Sequence, residues 1–471
     1  MNTFTNAVIN QEAYTDNGMK ARKNTGSALV DFFFKAGAMR GQDIIPVFVA
    51  AYAEDKELAL RITAWLRDVR EGAGERELFR QILRYLEVND PISAKRLLSA
   101  IPLLGRWDDV FTFTTEELKK EAFGLVEFAL SQGNGLTAKW TPRKGKLAAE
   151  LRKFMGVSPK AYRNILVELT NVVEQQMCAN DWDNIDHSKV PSLAAARYKK
   201  AFERHSVNYT KYVEKLTSGD ESVKVNAGAV YPYDILKGIA RELSFICFSK
   251  TTKDHIVAQW NALPNYVNEA SILPMVDVSG SMNKSVLGND NLNIMDIAIS
   301  LGLYLAEKNR GEFKDTFLTF SGCPDLVNLK GDIVQKCIQM NKSDWDMNTN
   351  ICAAVDKILE VATHGNVPDS EMPKILLILS DMQFDACAYM NMSAMQVIED
   401  KYKQAGYTIP KIVFWNLYAR NNVPVSCSKE GVALVSGFSP SILRSILGAN
   451  PEKFDPYNIM LDTICTPRYD L

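Results

Sequence analysis

The stretch Ile272-Leu-Pro-Met-Val-Asp277-Val-Ser279-Gly-Ser281 decides how this chain is read. An apolar run of strand length ends in a carboxylate, followed by two hydroxyls on alternate residues. After a buried strand, three such side chains converge and offer hard oxygen ligands, which suit Mg2+ or Mn2+. In an open α/β sheet, ligands bind beyond the carboxyl ends of the strands, so this loop reads as a metal-dependent contact site.

The sequence around it supplies the sheet. After Pro264, short β-branched or apolar runs alternate with helical ones, the pattern of a parallel sheet covered on both faces. Strands are expected from Ile272 to Val276, Thr316 to Phe320, Ile375 to Leu379, Ile412 to Leu417 and Val432 to Val435. Between the first two, Ile294, Ile297, Ala298, Leu301 and Leu305 form one apolar stripe, so Ile294 to Lys308 is expected to be a helix. The link Gly288-Asn-Asp-Asn-Leu-Asn293 reads as an exposed loop able to cap that helix.

Two further oxygen donors are expected at the same mouth. Asp381 directly follows the buried run Lys374-Ile-Leu-Leu-Ile-Leu-Ser380, which places a second carboxylate at the end of another central strand. Thr349, in Trp345-Asp-Met-Asn-Thr-Asn-Ile351, offers a hydroxyl from a loop ahead of a helix starting near Ile351. The plainer alternatives are a tight turn at Asp277 and a helix cap at Thr349; agreement among three loops favours the metal. Asp385 reads as a turn or capping residue, and Asp344 and Asp346 as solvated loop carboxylates.

Together these residues resemble the von Willebrand factor A fold with its metal-ion-dependent adhesion site. In that family an Asp-x-Ser-x-Ser loop, a Thr and an Asp hold one divalent cation. Asp277, Ser279, Ser281, Thr349 and Asp381 match those positions. The resemblance implies a doubly wound α/β domain and a bound cation, Mg2+ first, with Mn2+ or Ca2+ as alternatives. It also implies an open coordination position that water or a partner's carboxylate completes.

Upstream, from about Thr25 to Asn265, apolar residues recur at three and four positions, as in Leu58-Ala-Leu-Arg-Ile-Thr-Ala-Trp-Leu-Arg67. Breaks at Gly72-Ala-Gly74, Asn89-Asp-Pro91, Gly133-Asn-Gly135, Ser158-Pro159, Val190-Pro191 and Tyr231-Pro232 divide this half into helices of ordinary length. No strand is expected there. The pattern favours an α-solenoid or irregular helical stack without an exact repeat period. The domains are therefore taken as 1–265, helical, and 266–471, α/β.

With 471 residues, 46% hydrophobic and 23% charged, the chain can bury large cores. A net charge of -2 predicts no wholesale attraction to nucleic acid, so local charge must decide that question. The start Met1-Asn-Thr-Phe-Thr-Asn-Ala-Val-Ile lacks a signal-peptide pattern, and no run approaches the roughly 18 apolar residues of a membrane span. A cytoplasmic location and no membrane partner are expected. Eight cysteines without a C-x-x-C pair, beside four histidines, suggest neither a zinc site nor a disulfide framework, but reduced thiols, mostly buried.

One basic segment stands out. Lys139, Arg143, Lys144, Lys146, Arg152, Lys153, Lys160 and Arg163 face a single acid, Glu150, and Trp140 and Tyr162 are interleaved among them. Cations that neutralise phosphates, next to rings on which bases stack, are the means of holding single-stranded RNA or irregular RNA ends. The plain reading is a solvated helix face. A second cluster, Arg61, Arg67, Arg70, Arg76, Arg80 and Arg84, is interspersed with acids and reads as a salt-bridged helix pair.

The order helical domain then A-type domain, with Thr25-Gly-Ser-Ala-Leu-Val-Asp-Phe-Phe33 and Gly105-Arg-Trp-Asp-Asp-Val110, resembles the TROVE module of Ro ribonucleoprotein and telomerase-associated proteins. Ala138-Lys-Trp-Thr-Pro-Arg143, Pro159-Lys-Ala-Tyr-Arg163 and Val173-Glu-Gln-Gln-Met177 are similar to an uncharacterised TROVE-related branch from plants, fungi, bacteria and large viruses. The resemblance implies HEAT-like helical repeats and a noncatalytic RNA-binding scaffold for small noncoding or single-stranded RNA. The alternative is a protein-interaction or structural assembly module, phage-encoded in one version, whose metal captures a partner carboxylate. Catalysis is not expected: the sequence offers no second-metal carboxylate cluster, no Gly-rich phosphate loop with Lys, and no Ser-His-Asp or Cys-His arrangement.

Overall fold

The computed structural model describes residues 12–170, 172–236, 239, 249–267, 270–286, 289–320, 322–342, 348–386, 391–449 and 453–471. It opens with a hairpin of β1 (Glu12–Tyr14) and β2 (Lys20–Arg22). A helical region follows, and none of its described residues between 25 and 265 lies in a strand. Its first helices, Ala28–Ala36, Ile45–Glu54 and Lys56–Arg67, each pack on the next, and Glu77–Asn89 packs on Pro91–Leu104. Caps fall where the sequence has short polar residues: Ser27, Asp55 and Asp90 each accept a backbone N–H of the first turn.

The α/β region is built on a six-stranded sheet ordered β10-β9-β8-β3-β6-β7. Its strands are β3 (Ile272–Asp277), β6 (Thr316–Phe320), β7 (Leu326–Asn328), β8 (Ile375–Ser380), β9 (Lys411–Asn416) and β10 (Val432–Ser436). All neighbours run parallel except β7, which pairs antiparallel with β6 at the edge. The central strands β3 and β8 are buried throughout, as continuous apolar runs in a covered parallel sheet should be. The five expected strands and the helix Ile294–Lys308 appear within a residue of their sequence-derived limits.

Three expectations are corrected. The link before that helix is not a simple exposed loop: Asn289–Asn293 forms β5, paired with β4 (Ser285–Val286), and Leu292 is buried, although Asn293 does cap the helix. The edge strand β7 was not foreseen; three residues are too few to show a period. The thiols are not mostly buried, although five of the six described cysteines are free. Cys178, Cys323 and Cys465 are exposed, only Cys337 of the five free described cysteines is buried, and Cys352 is disulfide-bonded.

The helical region is joined to the sheet at both ends, through one continuous apolar core. At its start, helix Ala28–Ala36 packs on β10: the Ser436 hydroxyl donates to the Phe33 carbonyl and accepts from Gly37 N–H, both at 3.0 Å. Gly37 permits this approach, because a Cβ there would lie 2.6 Å from the Ser436 carbonyl oxygen. At its end, the Trp260 indole donates to Glu307 at 2.7 Å, and the Tyr304 hydroxyl donates to the Pro264 carbonyl. The two ends also meet each other, since Tyr231 reaches over Gly74, where an added Cβ would fall 2.0 Å from its hydroxyl.

The second arginine cluster proves structural. Asp109, fully buried, accepts from Arg67 at 2.7 Å and Arg80 at 2.8 Å, so the Gly105-to-Val110 segment neutralises the helix arginines. Arg468 and Tyr469, near the chain's end, both donate to buried Asp68. Among the described residues no helix is long and apolar enough to cross a membrane.

A second, smaller core forms around Phe202, Tyr209, Tyr212 and Val213. It holds His187 and abuts His255, whose two ring nitrogens find no hydrogen-bond partner among the described residues. Burial pushes His187 down to about 4, against the pull of Asp186, and His255 down to about 3, with Lys199 and His187 adding to the effect. Both folded-state values lie below the unfolded value near 6.5, so the unfolded chain binds more protons in acid and stability falls as pH drops from about 6.5. Urea denaturation is expected to show a loss of about 1–2 kcal/mol per histidine between pH 7 and pH 5. His255→Phe should remove about half of that dependence and leave the His187 share; an unchanged profile would refute the assignment.

Candidate functional site

Strand order places the site. The chain runs from β3 to β6 on one side and later returns to β8 on the other, so the β3–β8 crevice is the switch point where ligands of open α/β sheets bind. Asp277 ends β3 and Asp381 follows β8, on adjacent parallel strands. Asp277 accepts from Ser279 N–H at 2.9 Å and from the Ser380 hydroxyl at 2.6 Å. The Ser279 and Ser281 hydroxyls are 3.0 Å apart, and Ser281 donates to Asp381 at 3.3 Å. Four of the five sequence-predicted residues thus share one hydrogen-bonded cluster.

Thr349 reaches the same loops through Asp385. The Asp385 carboxylate accepts from Thr349 N–H at 2.7 Å, and Asp385 N–H donates to the Thr349 carbonyl at 2.9 Å. The cap of helix Ile351–His364 is Asn350, so Thr349 is free of that duty. Its buried hydroxyl has no hydrogen-bond partner among the described residues. Asp385 therefore positions the Thr349 loop. Asp344 and Asp346 lie outside the described residues.

Electrostatics set the demand of this cluster. Asp277, Asp381, Ser279 and Thr349 are all at most 2% exposed, and Ser281 is the half-buried member. Burial, reinforced by the neighbouring Asp381 charge, pushes Asp277 up to about 7. Two adjacent buried carboxylates and an orphaned hydroxyl fit a hard divalent cation, which would relieve both the repulsion and the unsatisfied polar atom. Among the described residues no three His, Cys, Asp or Glu side chains converge, so such a cation would rest on two carboxylates and hydroxyls.

Two features escaped the sequence reading. Arg420 donates to Asp381 at 2.8 Å and stacks over Tyr418. The N-terminal hairpin braces the loop after β8: Asn17 donates to Asp385 and to the Gln383 carbonyl, both at 2.8 Å, and Thr15 donates to the Phe384 carbonyl. Arg420 sits just past the end of β9, next to β8, and that strand-end position was its only signal.

The basic residues divide between surface and core. Arg143, Lys144, Lys146, Lys153, Lys160 and Arg163 are exposed, whereas Lys139, Trp140 and Arg152 are half-buried. Tyr162 is not a free stacking platform: it is 5% exposed and donates its hydroxyl to the Pro142 carbonyl. Nor is Trp140 open on both faces, because the Arg106 guanidinium lies 3.7 Å from its ring centre. Arg143, Lys144, Arg152 and Arg163 line one cavity of about 660 Å3 between helices Gly145–Phe154 and Pro159–Leu169, with no acidic residue in its wall. No ion pair among the described residues engages any of the four.

Sequence comparison places two families along the chain. Residues 15–104 and 129–273 match "Domain of unknown function (DUF2828)", and residues 271–460 match "Domain of unknown function (DUF7788)". The uncharacterized protein L728 of Acanthamoeba polyphaga mimivirus is 29% identical over an alignment covering 96% of this chain and 87% of that protein. The crystal structure of the Deinococcus radiodurans RO (RSR) protein aligns over 96% of both chains at 14% identity, with a TM-score of 0.37.

Replacing Thr349 by Val separates a metal ligand from a structural hydroxyl. No hydrogen bond is lost, so thermal melting in EDTA is expected to be unchanged or slightly raised, while the stabilisation given by added Mg2+ should shrink. A lower melting temperature in EDTA, with the Mg2+ increment intact, would contradict this role.

Proposed function

We propose that this protein is a noncatalytic RNA-binding scaffold whose α/β region carries a divalent-cation docking site. The observation that carries the RNA half is the cavity lined by Arg143, Lys144, Arg152 and Arg163, four cations without ion-pair partners among the described residues. Unneutralised cations around a concave surface attract phosphate and release its counterions on binding, even where net charge is near zero. Lys139, Lys146, Lys153 and Lys160 extend the positive surface around it. The resemblance to TROVE proteins supports small noncoding or single-stranded RNA as the ligand.

Replacing Arg143, Lys144 and Arg163 together by Gln is expected to weaken single-stranded RNA binding about 10-fold or more. The magnitude of the log-affinity against log-salt slope should fall by about 2, at about 0.7 per lost phosphate contact. Fluorescence anisotropy across a salt series reads both. Binding and slope equal to those of the unmodified protein would remove this surface from the account.

A second reading rests on the strand-end cluster. Asp277, Ser279, Ser281, Thr349 and Asp381 would hold the cation, Mg2+ first, and Ser281 marks the more open side. The cation would supply an electrophilic docking point for a partner's carboxylate. Asp277 and Asp381 provide charge, and Ser380 and Asp385 hold the ligand loops in place. Asp277→Ala and EDTA should each abolish capture of a carboxylate-bearing partner while circular dichroism stays native. A complex that survives both treatments would exclude the metal from docking.

A further inference from the structure

We infer that the cavity between helices Gly145–Phe154 and Pro159–Leu169 seats a terminal phosphomonoester of a nucleic acid strand rather than an internal phosphodiester. This rests on the RNA-binding reading above and specifies which part of the strand the cavity takes.

Charge is the first argument. Four cations that no carboxylate among the described residues neutralises line one concavity, instead of being spread along a track as binding to a strand's interior requires. A diester presents one negative charge at a time, whereas a terminal monoester carries about −1.5 to −2 at pH 7 and three acceptor oxygens. Paired cations convert that extra charge into charge-assisted hydrogen bonds.

The wall is also built in advance. Arg143 donates to the Thr170 hydroxyl at 2.9 Å, which fixes its guanidinium at the cavity. Thr170 is itself held by donation to the Leu166 carbonyl, and Tyr162 clamps the Pro142 carbonyl. The segment carrying Arg143 and Lys144 is therefore pinned from two directions before any ligand arrives. It then turns into the helix through Gly145 at φ +85, and the helix start has no side-chain cap. Lys144, Gly145 and Ala148 of this helix start line the cavity.

The remaining wall is apolar. Ala148, Pro159, Tyr162, Leu166 and Val167 line it, and a volume of about 660 Å3 lies within the range of small-molecule sites, about 300–1,000 Å3. A flat terminal base can rest on that side while its phosphate meets the cations. A phosphoserine or phosphothreonine shares the phosphate but carries no flat group on it, so the apolar wall favours a nucleotide end.

The experiment measures binding of one single-stranded RNA in four forms: 5′-phosphorylated, 3′-phosphorylated, both ends hydroxyl, and circularised. A phosphoserine peptide serves as a fifth probe. One phosphorylated end is expected to bind about 10-fold tighter than the hydroxyl form, and the two phosphorylated forms show which end is taken. Arg143→Gln with Arg163→Gln should abolish that preference, whereas Lys153→Gln, outside the cavity, should lower affinity for all RNAs and keep the ratio. Native melting temperatures check the variants. Equal binding of all four RNAs, still sensitive to the arginines, would overturn the terminal-phosphate assignment and leave RNA binding standing. No binding of any RNA would refute both, and tighter binding of the phosphopeptide would reassign the cavity to protein.

Discussion

Two carboxylates at the ends of adjacent parallel strands, withdrawn from water, impose the condition that the surrounding structure answers. Asp277 and Asp381 repel across the β3–β8 crevice, and burial makes that repulsion costly. The chain meets part of the cost itself. Ser380 and the Ser279 amide bond Asp277, while Ser281, the Gln383 amide and Arg420 bond Asp381. The Thr349 hydroxyl remains unspent, held in place by Asp385. Arg420 donates to Asp381, and Asp277, whose carboxyl burial pushes up to about 7, carries the rest of the strain.

Much of this was legible because it is local. β3 and β8 are apolar runs of strand length ending in a carboxylate, and the stripe of Ile294 to Lys308 has a single period. The rest depends on contacts between residues far apart in sequence. Asn17 meets Asp385 across 368 positions, and Arg468 meets Asp68 across 400. Nothing near Arg420 announces that it donates to Asp381. Tyr162 looked like a stacking ring because composition gives residue type but not direction; the backbone turns it inward, onto Pro142.

Net charge proved a weak guide to surface chemistry. The total of -2 averages over arginines already neutralised, such as Arg67 and Arg80 on Asp109, and over those that are not. The cluster from Arg61 to Arg84 is therefore part of the packing, and the segment from Lys139 to Arg163 carries the unbalanced charge. Sorting the two required knowing where the carboxylates of distant segments fall.

The seam between helix Ala28–Ala36 and β10 bears on how the chain acquires its structure during synthesis. Phe32, Phe33 and Phe34 are fully buried, and the Phe33 and Phe34 carbonyls receive hydrogen bonds from Ser436 and Asn416, nearly 400 residues later. A ribosome adding about 5–20 residues per second reaches β10 roughly 20–80 seconds after that helix. Throughout that interval the first helix cannot reach its final seat. Phe32 and Phe33 can meet Phe48 and Trp65 as soon as the next helices emerge, but the seam itself closes only once β10 arrives, so folding of this chain is not wholly vectorial.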